Sequence, residues 1–271
     1  MPKKKNTPLK IVSQTLLNFR KDEGFTLAAA LSFYAVLSMI PLTMIVVSIL
    51  GQIVGHSELV LASIVRLIQE SIPALTPSFI KNLSSIVQRK MTGGWAGIIV
   101  LFFVASVLFS NLEKVLDKIF TPSQKRNFLQ SKLLSVLFIF IIAVLMFVPS
   151  MFKNLDQIFD FLGIPLALEF LSRGPFFFFF VAWASFVVVL ALVPKYAVNL
   201  KFNCAGGLLF ALLLMAAKTI FYWYTQYSLE RFHLVYGSLT AIILVFMWIF
   251  YLMNLFILCA EFVGVLQSEW K

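Results

Sequence analysis

Six long apolar segments constrain the fold of this chain more than any other feature of its sequence. Each is close to the roughly 20 helical residues needed to cross a hydrocarbon layer of about 30 Å. Apolar residues follow one another through each segment and do not alternate with polar ones, which is typical of membrane helices and not of barrel strands. The segments lie near 27–50, 95–112, 132–151, 175–193, 204–224 and 237–260.

The composition agrees with this pattern. Only 13% of the 271 residues are charged and 61% are hydrophobic, whereas soluble domains carry about 25% charged residues. The sequence therefore predicts an all-α integral membrane protein with six transmembrane helices. We expect a basic N-terminus over 1–26, one membrane domain over 27–266 and a short C-terminal tail over 267–271.

The distribution of basic residues predicts the orientation. Placing both termini, 113–132 and 194–203 on one side collects 14 Lys and Arg there, against 7 on the other side. The positive-inside rule then puts both termini in the cytoplasm. The basic excess suits anionic lipid head groups as partners, and we expect no nucleic-acid partner. Cys204 and Cys259 fall near cytoplasmic helix ends, where free thiols are expected.

A long external segment over 51–94 separates the first two predicted spans. Residues 58–72 and 78–90 each place apolar side chains on one helical stripe, which predicts two amphipathic helices. Pro73 and Pro77 separate them. Two arrangements are compatible with this pattern: the helices lie flat on the outer membrane surface, or they fold over the bundle as a lid.

Groups suited to catalysis are few. Glu113 and Asp117 are four residues apart on one helical face, but Lys114 and Lys118 lie beside them, so we expect a solvated helix end. His56 and His233 fall on the predicted external side without metal-ligand spacing. The sequence contains no phosphate-binding loop and no nucleophile elbow. We therefore expect no enzymatic activity, no cofactor and no metal site.

Polar residues at membrane depth are the informative candidates. Lys218 lies inside the fifth predicted span, where an ionisable residue is by default a functional hypothesis, although its long stem could carry the ammonium to the interface. Tyr222 and Gln226 continue the same helix outward, as a polar stripe or as part of an interfacial aromatic belt.

The first predicted span carries a second group of candidates. Pro41 is expected to kink its helix, the small side chain of Ser32 suits close helix packing, and the Tyr34 hydroxyl requires a partner. Ser32, Tyr34, Lys218 and Tyr236 would form one cavity if they converge. The candidate substrate pathway comprises Ser32, Tyr34, Lys218, Tyr222, Gln226 and Tyr236.

Two segments resemble a known family. LAAALSFYAVLSMIPLTMIVVSILG is similar to the first span of the YihY/BrkB family of bacterial inner-membrane proteins, and VYGSLTAIILVFMWIFYLMNLFILCAEF is similar to its last span. LVPK at 192–195 matches a proline that follows the family's fourth span. The motif residues are Pro41, Gly237, Ser238, Trp248 and Glu261. Cys259 departs from the glycine that usually precedes the Ala-Glu pair.

The resemblance implies a six-span protein of the bacterial inner membrane. Members of the family have been linked with virulence and serum resistance, with envelope lipid export, and with the label ribonuclease BN. A transporter or flippase-like factor for an envelope lipid or a related amphiphilic solute is the function that we favour. A non-transporting scaffold or envelope-integrity factor is the alternative, and a tRNA-processing nuclease is the least favoured.

Some expectations remain open at the level of sequence. We expect membrane lipids, mainly anionic ones, as partners, and homo-oligomerisation or an envelope partner is compatible with the sequence. Glu261 is placed near the cytoplasmic interface, where it would pair with a basic loop or gate an opening.

Overall fold

A computed structural model describes residues 8–38, 94–120, 175–236 and 239–270. The described residues form helices and no strand, which confirms the all-α prediction for this part of the chain. The predicted span at 132–151, nearly all of the external segment, and the motif residues Pro41, Gly237 and Ser238 lie outside it. The helices are α1 (Pro8–Lys21), α2 (Gly24–Ser38), α3 (Gly94–Phe120), α4 (Pro175–Leu192), α5 (Leu200–Tyr236) and α6 (Thr240–Glu269).

Two described helices are long and apolar enough to cross a membrane. The qualifying segments are Leu200–Tyr227 and Ile242–Glu269, and α2 and Phe178–Leu192 are shorter apolar helices. The two long segments correspond to the predicted spans at 204–224 and 237–260. The α5 helix is 37 residues long, which is longer than the predicted span. The residues after 224 are more polar, but they continue the same helix.

Local signals set the helix boundaries in the expected way. Pro8 and Pro175 occupy first positions of helices, where the fixed φ of proline is favourable and its missing N–H costs nothing. The α4 helix ends two residues before Pro194, as proline disfavours helical geometry in the residue before it. Asn199 caps α5, since its Oδ1 accepts a hydrogen bond from the Lys201 backbone N–H at 3.1 Å.

The α1 helix is an element that the sequence analysis did not assign within the N-terminal segment. Asp22 and Glu23 join it to α2, and Glu23 adopts a left-handed φ of 59°, which is uncommon for a residue other than glycine. Gly24 follows directly, and the Phe19 ring lies against it where a side chain would stand. Phe19 also contacts Phe25 edge to face, with ring centroids 5.1 Å apart.

The described residues divide between two compact units. The first unit contains 8–31, 109–120, 175–215 and 252–270, and the second contains 32–38, 94–108, 216–236 and 239–251. An aromatic cluster of Phe186, Phe210 and Phe256 joins α4, α5 and α6 in the first unit, with ring centroids 5.2 to 6.2 Å apart. In the second unit the Phe221 ring lies 4.9 Å from that of Trp248.

Small residues let the helices of the first unit approach closely. A side chain at Gly206 would meet Val263 on α6 and Phe186 on α4, and one at Gly207 would lie 3.2 Å from the Trp183 carbonyl oxygen. Small residues at the start of a membrane helix allow such a close approach between helices. The Trp183 indole N–H donates to the Cys204 carbonyl at 3.1 Å across the same contact.

The two cysteines are free, but they differ in accessibility. Cys204 is half-buried and Cys259 is completely buried. Lys114 and Lys201 are exposed, so cysteines introduced there report the orientation better than the native thiols do.

We expect Lys114→Cys and Lys201→Cys, each in a background with Cys204 and Cys259 replaced by alanine, to react with a membrane-impermeant maleimide only after spheroplasts are permeabilised. Both positions are predicted to lie on the side that carries the excess of Lys and Arg. Labelling of either position in intact spheroplasts would reverse the orientation.

Candidate functional site

A cluster of ion pairs joins the α4–α5 connection to α3 in the first unit. Lys195 Nζ lies 2.8 Å from Asp117 Oδ2 and 3.5 Å from Glu113 Oε1. The Lys195 backbone N–H also donates to Asp117 Oδ1 at 3.3 Å. The hydrogen bond to Asp117 raises the pKa of Lys195 above its usual value, and the charges of both carboxylates add to this although partial burial opposes it.

This cluster corrects one expectation from the sequence. Glu113 and Asp117 do share a helical face, but Glu113 is only 7% exposed and the helix end is not fully solvated. The partner is Lys195, which lies 78 residues from Asp117 along the chain, whereas the neighbouring Lys114 is exposed. In the sequence, Lys195 stood out only as the last residue of the LVPK segment, and no partner was predicted for it.

The family-motif residue Glu261 lies on α6 and is 2% exposed. Its carboxyl group lies within hydrogen-bonding reach of Asp22 and near Lys118, while Oε1 has no hydrogen-bond partner. Lys118 Nζ donates to the Asp22 backbone carbonyl at 2.7 Å. Glu261 therefore lies close to the α1–α2 turn and the end of α3, where the charge of Lys118 acts on its carboxyl group.

The polar stripe of α5, which we define as Lys218, Tyr222 and Gln226, belongs to the second unit. Lys218 is half-buried, Tyr222 is 57% exposed and Gln226 is exposed. The spacing of four residues places the three on one side of the helix with a drift of about 40° per step. Tyr222 and Gln226 therefore lie on an exposed side of α5.

Aromatic residues accompany this stripe. The Trp223 and Tyr227 rings are 4.9 Å apart, and both are mostly exposed. Such side chains are typical of a membrane–water interface.

The remaining sequence candidates have different environments. Ser32 is buried, and Tyr34 is half-buried with its ring 5.6 Å from that of Phe33. Trp248 is buried against Phe221, which is a packing role. Tyr236 ends α5, and its side chain lies outside the described residues. Convergence of Ser32, Tyr34, Lys218 and Tyr236 on one cavity stays a prediction.

Within the described ranges, no three His, Cys, Asp or Glu side chains are placed to hold a metal ion. His56 and the side chain of His233 lie outside these residues.

Comparison with known proteins gives a consistent family. The sequence model described as virulence factor BrkB matches residues 15–271. The chain is 25% identical to a UPF0761 membrane protein of Mannheimia succiniciproducens over 85% of this chain and 80% of that one. It is 26% identical to one of Haemophilus influenzae over 85% of each, and 24% identical to one of Aggregatibacter aphrophilus over 92% and 89%.

No solved structure matches the chain. The relatives are named as membrane proteins, in agreement with the apolar α5 and α6 helices. Since the family match covers nearly the whole sequence, the chain belongs to the virulence factor BrkB family of membrane proteins.

Proposed function

We propose that this chain is a multi-pass inner-membrane transporter or flippase-like factor that moves an anionic envelope lipid along its own surface. The observation that carries the proposal is the polar stripe of α5. An ammonium, a phenol and an amide follow one side of a helix whose segment Leu200–Tyr227 is otherwise apolar enough to span a membrane. The exposed positions of Tyr222 and Gln226 are those that a lipid could reach.

The cost of moving a lipid head group through hydrocarbon explains how a polar stripe would help lipid movement. A lipid head group that enters hydrocarbon loses its hydration, which is costly for polar and especially for charged groups. Polar side chains on a lipid-facing surface would replace part of that hydration while the acyl chains stay in the bilayer. The Lys218 ammonium would favour an anionic head group, and the Tyr222 hydroxyl and Gln226 amide would supply hydrogen bonds.

The alternative is a non-transporting scaffold or envelope-integrity factor. The exposed Trp223 and Tyr227 rings favour it to some extent, since an aromatic belt anchors any membrane helix without moving a lipid. In that case Lys218 would lie next to the belt only to bring its ammonium to the interface. The two functions differ in whether the charge of Lys218 is needed.

We expect the purified protein in liposomes to accelerate movement of a fluorescent phosphatidylglycerol between leaflets, measured as bleaching of inner-leaflet probe by external dithionite. Lys218→Met should slow this rate about tenfold, equivalent to about 1.4 kcal/mol in the barrier, and Lys218→Arg should restore part of it. Lys201→Met makes the same chemical change at an exposed position of the same helix and should leave the rate unchanged.

Protein abundance and unfolding in detergent micelles must be equal across these variants for the comparison to hold. A Lys218→Met protein that moves lipid as fast as the unsubstituted protein would contradict the proposed role of the stripe. A failure of every form to move lipid, with normal folding, would favour the scaffold.

A further inference from the structure

We propose that α1 lies in the plane of the membrane surface and binds an anionic lipid leaflet through its apolar face, defined as Leu9, Val12, Leu16 and Leu17. This inference is independent of lipid transport, because a surface anchor is needed in neither proposed function. Leu9 is 79% exposed and the other three are more than half exposed. Four large apolar side chains on one short helix are therefore left uncovered by the described part of the chain.

One side of α1 packs against the protein. Thr15 and Phe19 are buried, and at about 100° per residue they point away from Leu17, whereas Phe19 lies next to Val12. The Thr15 hydroxyl is satisfied within the helix by the Ile11 carbonyl at 2.9 Å. The buried side therefore borders the exposed apolar face, and the described residues cover only the buried side.

The α1–α2 corner fixes where this face lies. The connection is only two residues long, and the Phe19–Phe25 contact and Gly24 hold it closed. The Lys118 ammonium binds the Asp22 carbonyl from α3. Because α2 begins the first predicted span, the corner holds α1 at the depth where that span enters the bilayer.

The positive charge of residues 1–21 indicates that the apolar face of α1 binds an anionic lipid surface. Residues 1–21 carry six Lys or Arg and no Asp or Glu. Arg20 and Lys21, in the last turn of α1, are exposed. A basic helix with an exposed apolar face is typical of binding in the interface of an anionic membrane. The same face of a second copy would bring like charges together, which disfavours self-association through α1.

The test places a nitroxide spin label at single cysteines of the full chain, with Cys204 and Cys259 replaced by alanine. Leu9→Cys and Leu16→Cys probe the apolar face. Gln14→Cys is the matched control, since Gln14 is exposed and lies about 140° to 160° around the same helix from Leu9 and Leu16. Vesicles of phosphatidylcholine with and without phosphatidylglycerol hold the protein. Collision of the label with oxygen, which concentrates in lipid, is compared with collision with a water-soluble nickel chelate.

We expect the oxygen-to-nickel ratio to be several-fold higher for labels at 9 and 16 than for the label at 14. In phosphatidylglycerol vesicles the double variant Arg20→Gln/Lys21→Gln should reduce this difference, and in phosphatidylcholine alone it should change it little. Equal water access on both faces would overturn the proposal. Spin–spin broadening at 16 that disappears on dilution with unlabelled protein would overturn it too, because a second copy would then cover the face.

Discussion

Replacing Lys195 by methionine is expected to lower the free energy of unfolding by about 3 kcal/mol. The substitution removes the partner that lies 2.8 Å from Asp117 and 3.5 Å from Glu113. Glu113 is nearly buried, and a buried carboxylate left without its cation is strongly unfavourable. Equilibrium unfolding in mixed detergent micelles measures the loss.

Lys114→Met is the control for this substitution, since it removes an exposed lysine from the same region of α3 and should change stability by less than about 0.5 kcal/mol. The pH dependence gives a second readout. The pKa of Lys195 is raised by folding, so its contribution is fully present below the ordinary lysine value of about 10.4. It is lost as the pH rises through the higher folded value. Lys195→Met should lack this alkaline component, and equal alkaline profiles would contradict the ion-pair assignment.

Replacing Gly206 by leucine is expected to destabilise the first unit by about 2 kcal/mol or more. The new side chain would collide with Val263 and with Phe186, which lies 3.2 Å from the ideal Cβ position. Overpacking of this kind costs about 1 to 3 kcal/mol, and the helix propensity gained over glycine offsets no more than about 1 kcal/mol. The same unfolding measurement in micelles reports the change.

The neighbouring residue supplies a matched control for the Gly206 prediction. Ala205 is exposed on the same turn of α5, so Ala205→Leu adds comparable volume on a side with no packed neighbour. We expect a change below about 0.5 kcal/mol there. Equal losses from the two substitutions would show that the position of glycine does not govern the packing of α4, α5 and α6.

The helical architecture was largely predictable because apolar length and proline position act locally. The fifth and sixth predicted spans correspond to α5 and α6, and the second and fourth fall on α3 and α4. The first part of the first predicted span, residues 27–38, falls on α2. The α1 helix was missed because its apolar residues form an amphipathic pattern too short for a span. Its packed side became recognisable only with Phe19 seated against Gly24.

The candidate sites were predicted less completely. The spacing of Lys218, Tyr222 and Gln226 was visible because four residues return a helix to nearly the same side, but their exposure depends on which neighbours cover α5. Glu113 was expected to be solvated, but it is buried and lies 3.5 Å from Lys195, which approaches it from a distant segment. No local pattern encodes such an approach.

By itself the sequence determined the class of protein, the family and the approximate starts of α2 to α6, because hydrophobic length and proline geometry depend on neighbours along the chain. Tertiary structure alone decided which polar groups are paired. The pair of Lys195 and Asp117 brings together residues that are far apart in sequence. The same is true of Glu261, which lies near Asp22 and Lys118. Their energies depend on distance and burial in the folded chain, which a linear sequence does not specify.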